Sequence, residues 1–311
     1  MKNRRLREEI RAKGNGYYHF CTDGLKTGNL FYNAAQLSFG MILIGLLVLK
    51  YNLKVYAFVL MPNHIHVILS GTGENCLKAF DYFKYKVSLR LKKDGFPPLP
   101  DDYGFILREI PDKDSMKSEL AYVLRNPLEK DYSTIAGYVW GTGWLYHSGI
   151  SEYISGKRVD EMSEREVTRL TGTELALPGH WRLHPVLGLL PGSFVDMSLA
   201  KRLFPAAKDF EVAMVKDFES FVRTARALNE DIEFSSSEIK SIVNLTLQNN
   251  FKGSSLNDLT QDAKCKLAVI LGSKYGLSSY EISQGIYLKE SIVRQVLSAK
   301  EYRNLTRTPT I

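Results

Sequence analysis

Cysteine is scarce: Cys21, Cys76 and Cys265 are the only three in 311 residues, far apart and without paired spacing. That excludes a disulfide framework and a cysteine-paired zinc knuckle, and makes a reducing cytoplasm the expected location. Long hydrophobic runs are missing as well. The most apolar stretch, Met41 to Leu49, is well short of the roughly 20 residues a spanning helix needs, so no membrane partner is expected. The basic start from Met1 to Lys13 leads into no apolar region with a cleavage site, and no signal peptide is read there. Internal repeats and low-complexity segments are absent. So is an acidic excess: 41 Lys and Arg against 34 Asp and Glu leave a net charge of +7. A basic surface attracts phosphate backbones before any specific contact forms, so the balance supports a nucleic-acid partner. What remains is an ordinary globular composition, 44% apolar and 24% charged. The chain is too long for most single cores, and two or three domains are expected.

The most informative stretch is Val59-Leu60-Met61-Pro62-Asn63-His64-Ile65-His66-Val67-Ile68-Leu69-Ser70. Successive side chains of a strand point to opposite faces, so His64 and His66 share one face while Ile65, Val67 and Leu69 take the other. Pro62 and Asn63 form turns, which ends one strand at Met61 and opens the next at His64, near a sheet rim. Two neighbouring neutral imidazoles suit a divalent metal if further ligands arrive from elsewhere. A pair of surface or hydrogen-bonded histidines fits the same pattern.

Around this run the expected order is a strand at Tyr17 to Thr22 ending in an Asp23-Gly24 turn, a helix from Asn29 to Tyr51, and strands at Lys54 to Met61 and His64 to Ser70. His19 reads as a structural residue. Strand, helix, strand, strand suggests an α+β fold, an antiparallel sheet with helices packed on it. A helix from Cys76 to Lys93 follows, carrying Lys84, Lys86, Arg90, Lys92 and Lys93 among Phe80, Tyr82, Phe83 and Tyr85. Cations on such a helix could neutralise phosphates, and its aromatics could stack on unpaired bases. An amphipathic core helix with a solvated basic face reads equally well. Phe105 to Ile110 is a short strand, and a helix capped by Asp114 or Ser115 runs to Asn126, where Pro127 should stop it. Tyr122 and Asn126 stand one turn apart on one face of that helix.

Met61-Pro62-Asn63-His64-Ile65-His66 followed by Tyr122-Val123-Leu124-Arg125-Asn126-Pro127 resembles the single-tyrosine HUH transposases, in particular the REP-associated tyrosine transposases, over about Gly16 to Gly149. The resemblance implies a ferredoxin-like HUH endonuclease core over residues 15–150. It also implies a divalent metal, Mg2+ or Mn2+, held by His64, His66 and Asn126, and attack on DNA by Tyr122 through a 5′-phosphotyrosine intermediate. Single-stranded or hairpin DNA would be the partner of this domain, and a homodimer would be in keeping with it. The rival readings are a domesticated, catalytically inactive DNA-binding regulator and a phosphodiesterase that uses water.

The rest of the chain lies outside that resemblance. Residues 151–250 read as a helical linker of unknown role, with His180-Trp181-Arg182-Leu183-His184 as a packed loop. Residues 251–305 read as a helix-turn-helix: Gln261 to Tyr275, a short helix from Ser278 that breaks near Gly285, and a last helix from Lys289 to Lys300. This part resembles the DNA-binding domain of replication initiators. Lys289, Ser291, Arg294 and Gln295 would then face a duplex major groove, so that the whole all-helical C-terminal part would bind duplex DNA. A protein-binding helical domain is the alternative.

Overall fold

The computed structural model describes residues 2–22, 28–127, 137–146, 154–206, 209–210, 213, 218–228, 234 and 236–298. The expected Asp23-Gly24 turn and the last two residues of the expected final helix lie outside them. The chain divides into two compact units, Met1–Lys216 and Asp217–Ile311.

The first unit is α+β. After a basic helix α1 (Lys2–Arg11) come β1 (Asn15–Thr22), α2 (Ala34–Tyr51), β2 (Lys54–Leu60), β3 (Ile65–Thr72), α3 (Gly73–Lys93), β4 (Phe105–Glu109) and α4 (Lys113–Arg125). The four strands form one antiparallel sheet in the order β2-β3-β1-β4. This strand-helix-strand-strand-helix-strand topology is the ferredoxin-like arrangement. α2 begins at Ala34 rather than Asn29 because the Asn33 side chain accepts from the backbone N–H of Gln36. It ends where Asn52 turns left-handed at φ 48. By length and hydropathy α2 could cross a membrane, yet half of it is buried inside this fold. α4 is capped two or three residues before the expected Asp114 or Ser115, because Asp112 accepts from Ser115 N at 2.7 Å.

One sheet face packs Phe20, Phe58, Ile65, Val67, Leu69 and Phe105 against α2 and α3, with Phe80 of α3 centred 4.3 Å from Phe105 and 6.2 Å from Phe20. The other face carries α4. The edge of β2 is covered by the chain around Gly141, where Leu60 N donates to Trp140 O at 2.8 Å and Thr142 N to Phe58 O at 3.0 Å. Tyr138 and Tyr146 also donate their hydroxyls to the carbonyls of Leu60 and Tyr56, at 2.6 and 2.7 Å.

The described residues from 154 to 206 are not a purely helical linker. They contain a three-stranded antiparallel sheet of β5 (Lys157–Arg158), β6 (Arg182–His184) and β7 (Gly188–Leu189). Two helices, α5 (Glu164–Thr171) and α6 (Ser198–Leu203), accompany it. Trp181, Leu183, Leu189, Phe194 and Val195 join the core of the first unit, so apolar burial makes this segment part of that unit. Gly45 of α2 permits the approach, since a Cβ there would stand 2.2 Å from Leu189 Cδ2. His184 is a turn residue whose Nδ1 accepts from Val186 N and Leu187 N, both at 3.1 Å.

The second unit is helical among its described residues: α7 (Phe218–Leu228), α8 (Ser236–Asn250), α9 (Gln261–Ile270) with a π-turn through Leu271–Tyr275, α10 (Ser279–Ile286) and α11 (Glu290–Ser298). Val222, Ile239, Val243 and Leu247 share a core with Leu267, Leu271, Ile282 and Val293. The boundary therefore falls at Asp217 rather than at residue 251. Gly276 at φ +74 closes the π-turn, and Ser278 and Glu281 form a capping box that starts α10. The helix stops near Gly285 as expected: its last residue is Ile286, one position on, and Tyr287 caps it in a left-handed turn. A Cβ at Gly285 would come within 2.7 Å of Ile239 Cγ2.

Candidate functional site

Strand register sets the site. Cys21 of β1 stands opposite His66 of β3, and His19 opposite Ile68. Side-chain alternation then places His19, Cys21, His66 and Ile68 together on the face that α4 covers. His64 precedes β3 by one residue and belongs to the same row. Its ring centroid is 4.8 Å from that of His66, with the planes at 88°. The expected pairing of His64 with His66 on one face therefore holds.

Each imidazole is held through its Nδ1. His64 Nδ1 lies 2.8 Å from Asn63 Oδ1, and an amide oxygen only accepts, so His64 donates there. His66 Nδ1 lies 3.0 Å from His19 Nε2, and His19 Nδ1 lies 2.5 Å from Glu119 Oε2. Arg108 donates to the other oxygen of Glu119 at 2.6 Å. His19, His66 and Glu119 are buried, with exposures of 0%, 0% and 3%. Burial first, and then the neighbouring His64 and His19, hold the His66 imidazole well below its usual range, which keeps it neutral. The Nε2 atoms of His64 and His66 are both buried.

α4 supplies the lid of this row. Glu119, Tyr122 and Asn126 follow one another at helical spacing, and all three are buried. The Tyr122 ring is centred 5.4 Å from His66 and 5.9 Å from His19, edge-on to both. Asn126 continues the stripe one turn further. It keeps a right-handed helical backbone, φ −49 and ψ −37, although Pro127 follows. The steric preference before proline is therefore overridden here, and Asn126 stays in register with Tyr122.

Glu119, His19 and Arg108 complete the site without having been expected in it. The signal was a carboxylate three residues before Tyr122, on an otherwise apolar helix stripe, and a histidine inside a buried strand. Among the described residues no group of three or more His, Cys, Asp or Glu is arranged to hold a metal. The expected set differs in kind, since its third donor, Asn126, is an amide. Two imidazoles that use Nδ1 elsewhere and one amide oxygen are a donor set whose chemistry suits a divalent cation, with the other positions left to substrate oxygens and water.

The cations of α3 lie elsewhere. α3 packs on the opposite sheet face, so the sheet itself separates Lys84, Lys86, Arg90, Lys92 and Lys93 from the histidine row, and they do not line a channel beside it. Lys84 is tied to the carbonyls of Asp101 and Tyr103 at 2.6 and 3.2 Å, and Arg90 to Asp94 at 2.7 Å. Phe80 and Phe83 are core residues, whereas Tyr85 is exposed. Lys86, Arg90 and Lys93 line, with Arg169, a cleft of about 340 Å³. In the second unit Lys289, Ser291, Arg294 and Gln295 are all exposed, the last three on one face of α11. Arg294 also pairs with Glu290 at 2.8 Å.

No family model matches the chain, and no curated protein does. One solved structure, described as "Structure of the REP associates tyrosine transposase bound to a REP hairpin", is similar over 56% of this chain and 95% of that one, at 13% identity and a TM-score of 0.35. A likeness that distant carries no functional conclusion for this chain.

Proposed function

We propose that this protein nicks and rejoins single-stranded DNA, with Tyr122 as the nucleophile and a divalent metal, Mg2+ or Mn2+, held by His64, His66 and Asn126. The observation that carries the reading is the Tyr122 ring 5.4 Å from His66, which is itself 4.8 Å from His64, in one buried row beneath α4. A phenol ordinarily ionises near pH 10. Its attack on a phosphodiester therefore needs help at both the hydroxyl and the phosphate. When bound, the metal would polarise the phosphate and stabilise charge on its oxygens. The chain's own residues do the rest. His64 and His66 sit side by side at the start of β3, and Asn126 stands one helical turn beyond Tyr122, whose ring lies against His66. Attack of the deprotonated Tyr122 oxygen on phosphorus would form the Tyr–O–P bond as the P–O3′ bond breaks, and the leaving 3′-oxygen would take up a proton to become a 3′-hydroxyl, leaving a 5′-phosphotyrosine. That bond conserves the phosphodiester energy for joining to another 3′-hydroxyl. The exposed Lys289, Ser291, Arg294 and Gln295 of α11 would contact duplex DNA.

A second reading is favoured by the burial of Tyr122, which is 2% exposed: a DNA-binding regulator that keeps the site without turnover. One experiment separates the two. Incubation with labelled single-stranded oligonucleotides and Mg2+ or Mn2+, followed by a denaturing gel, should give a protein-linked DNA band. Tight DNA binding without such a band supports the regulator, and cleavage without it supports hydrolysis by water.

A further inference from the structure

We propose that His19 and Glu119 are positioning residues that fix His66 in the tautomer whose Nε2 carries a lone pair. The inference rests on the reading of His66 as a metal ligand and deepens it. The hydrogen bonds run in one direction. Arg108 donates to one oxygen of Glu119 at 2.6 Å, so the carboxylate is an acceptor, and its other oxygen receives the Nδ1–H of His19 at 2.5 Å. His19 is fully buried, and as a neutral imidazole it has a single N–H to give, which the carboxylate takes. A neutral His19 that donates through Nδ1 has its lone pair on Nε2. That atom lies 3.0 Å from His66 Nδ1, which must therefore be the donor. The proton of neutral His66 is thus on Nδ1, and Nε2 is left able to ligate.

Asn63 does for His64 in one hydrogen bond what His19 and Glu119 do for His66 in two. Its side-chain oxygen takes the Nδ1–H of His64 at 2.8 Å. Both histidines are thereby set in the same tautomer by different partners, one adjacent in sequence and the other on another strand. A purely structural role would ask only that the hydrogen bonds exist, and either tautomer would serve. The carboxylate at the end of the relay selects one of them.

The Glu119→Gln variant inverts the relay. Gln has one acceptor, and Arg108, donor-only, claims it, so the amide N–H2 faces His19 Nδ1. His19 must then accept there and carry its proton on Nε2, which it donates to His66 Nδ1. The His66 proton moves to Nε2. The test is nitrogen-15 NMR of histidine-labelled full-length protein without metal or DNA, together with titration by Mn2+ alone. Wild type should show His66 Nε2 unprotonated, and Glu119→Gln should show it protonated, with Mn2+ affinity about 10- to 100-fold weaker. A wild-type spectrum with the proton on Nε2 overturns the proposal. So does a folded Glu119→Gln protein with an unchanged His66 tautomer. If Glu119→Gln does not fold, His19→Phe replaces it: it fills similar space and removes the acceptor. Loss of the single His66 tautomer in that variant supports the proposal, and its persistence overturns it. Because the readout needs no DNA, a wild type that shows the tautomer but forms no covalent adduct counts against the nucleophile reading and leaves the relay standing.

Discussion

The two faces of the first unit's sheet are made from the same four strands and have opposite chemistry. Toward α2 and α3 they present Phe20, Val67, Leu69 and Phe105, a packed apolar layer. Toward α4 they present His19, His66 and Arg108, closed by Glu119 and Tyr122 of the helix. A strand alternates its faces with a period of two, so one sequence can carry a core on one side and a row of polar groups on the other. The comparison teaches a division of labour. The apolar face provides stability, and this allows the other face to bury imidazoles, a carboxylate and a phenol.

The largest expected effect breaks the α4 face alone. Tyr122→Phe removes one hydroxyl and should abolish the protein-linked DNA band completely while melting temperature and DNA binding stay near wild type. A band that persists in this variant would put the nucleophile elsewhere. On the opposite face, Phe80→Ala should cost about 3–5 kcal/mol of stability by emptying the space between α3 and the sheet. Chemical denaturation would measure it, and the fraction still folded at low temperature should keep its activity per molecule. Loss of activity at full folding would mean that α3 does contribute to the chemistry.

A smaller effect sharpens the comparison at the helix that carries the site. Asp112→Ala removes the N-cap of α4 and should destabilise by about 1 kcal/mol, a modest downward shift in denaturation midpoint without loss of the adduct. The smallest concerns the outer edge of β2, where Asp196 accepts from Lys54 at 2.6 Å and from Ser198 N at 2.9 Å. Burial pushes this carboxyl up, but the Lys54 and Ser198 hydrogen bonds outweigh it and hold it at about 2. Its folded value is below the ordinary carboxylate value of about 3.9, so it adds stability above that pH and loses it as pH falls toward about 2. Lys54 is largely solvated, which limits the gain to about 1 kcal/mol. Asp196→Asn should lower stability at neutral pH by that amount and flatten the acid limb between about pH 4 and pH 2. An acid limb identical to wild type would assign the pH dependence to other carboxylates.

How far each region could be read before folding follows from the range of the forces involved. Within one element the spacing of residues sets direction. The period of a strand put His64 and His66 on one face, the pitch of a helix put Tyr122 and Asn126 one turn apart, and the order of elements announced an antiparallel α+β sheet. Local capping was legible with an error of two or three residues, as at Asp112, because several neighbouring oxygens can serve. The short strands at 157–158, 182–184 and 188–189 were not expected, because they are held by burial against α2 rather than by local propensity.

What the chain alone could not state is which faces meet. His19 lies 47 residues from His66 and 100 from Glu119, and only the β1–β3 register and the docking of α4 bring them into one row. The same holds for α3. Its mixture of lysines and aromatics suits a nucleic-acid channel or a core helix equally, and only the packing shows that its apolar residues meet the sheet on the face away from the histidines. Local periodicity is determined by backbone geometry, which every residue carries with it. The pairing of distant surfaces is determined by the total apolar area they remove from water and by the polar groups they must satisfy, and neither quantity exists until the chain has folded.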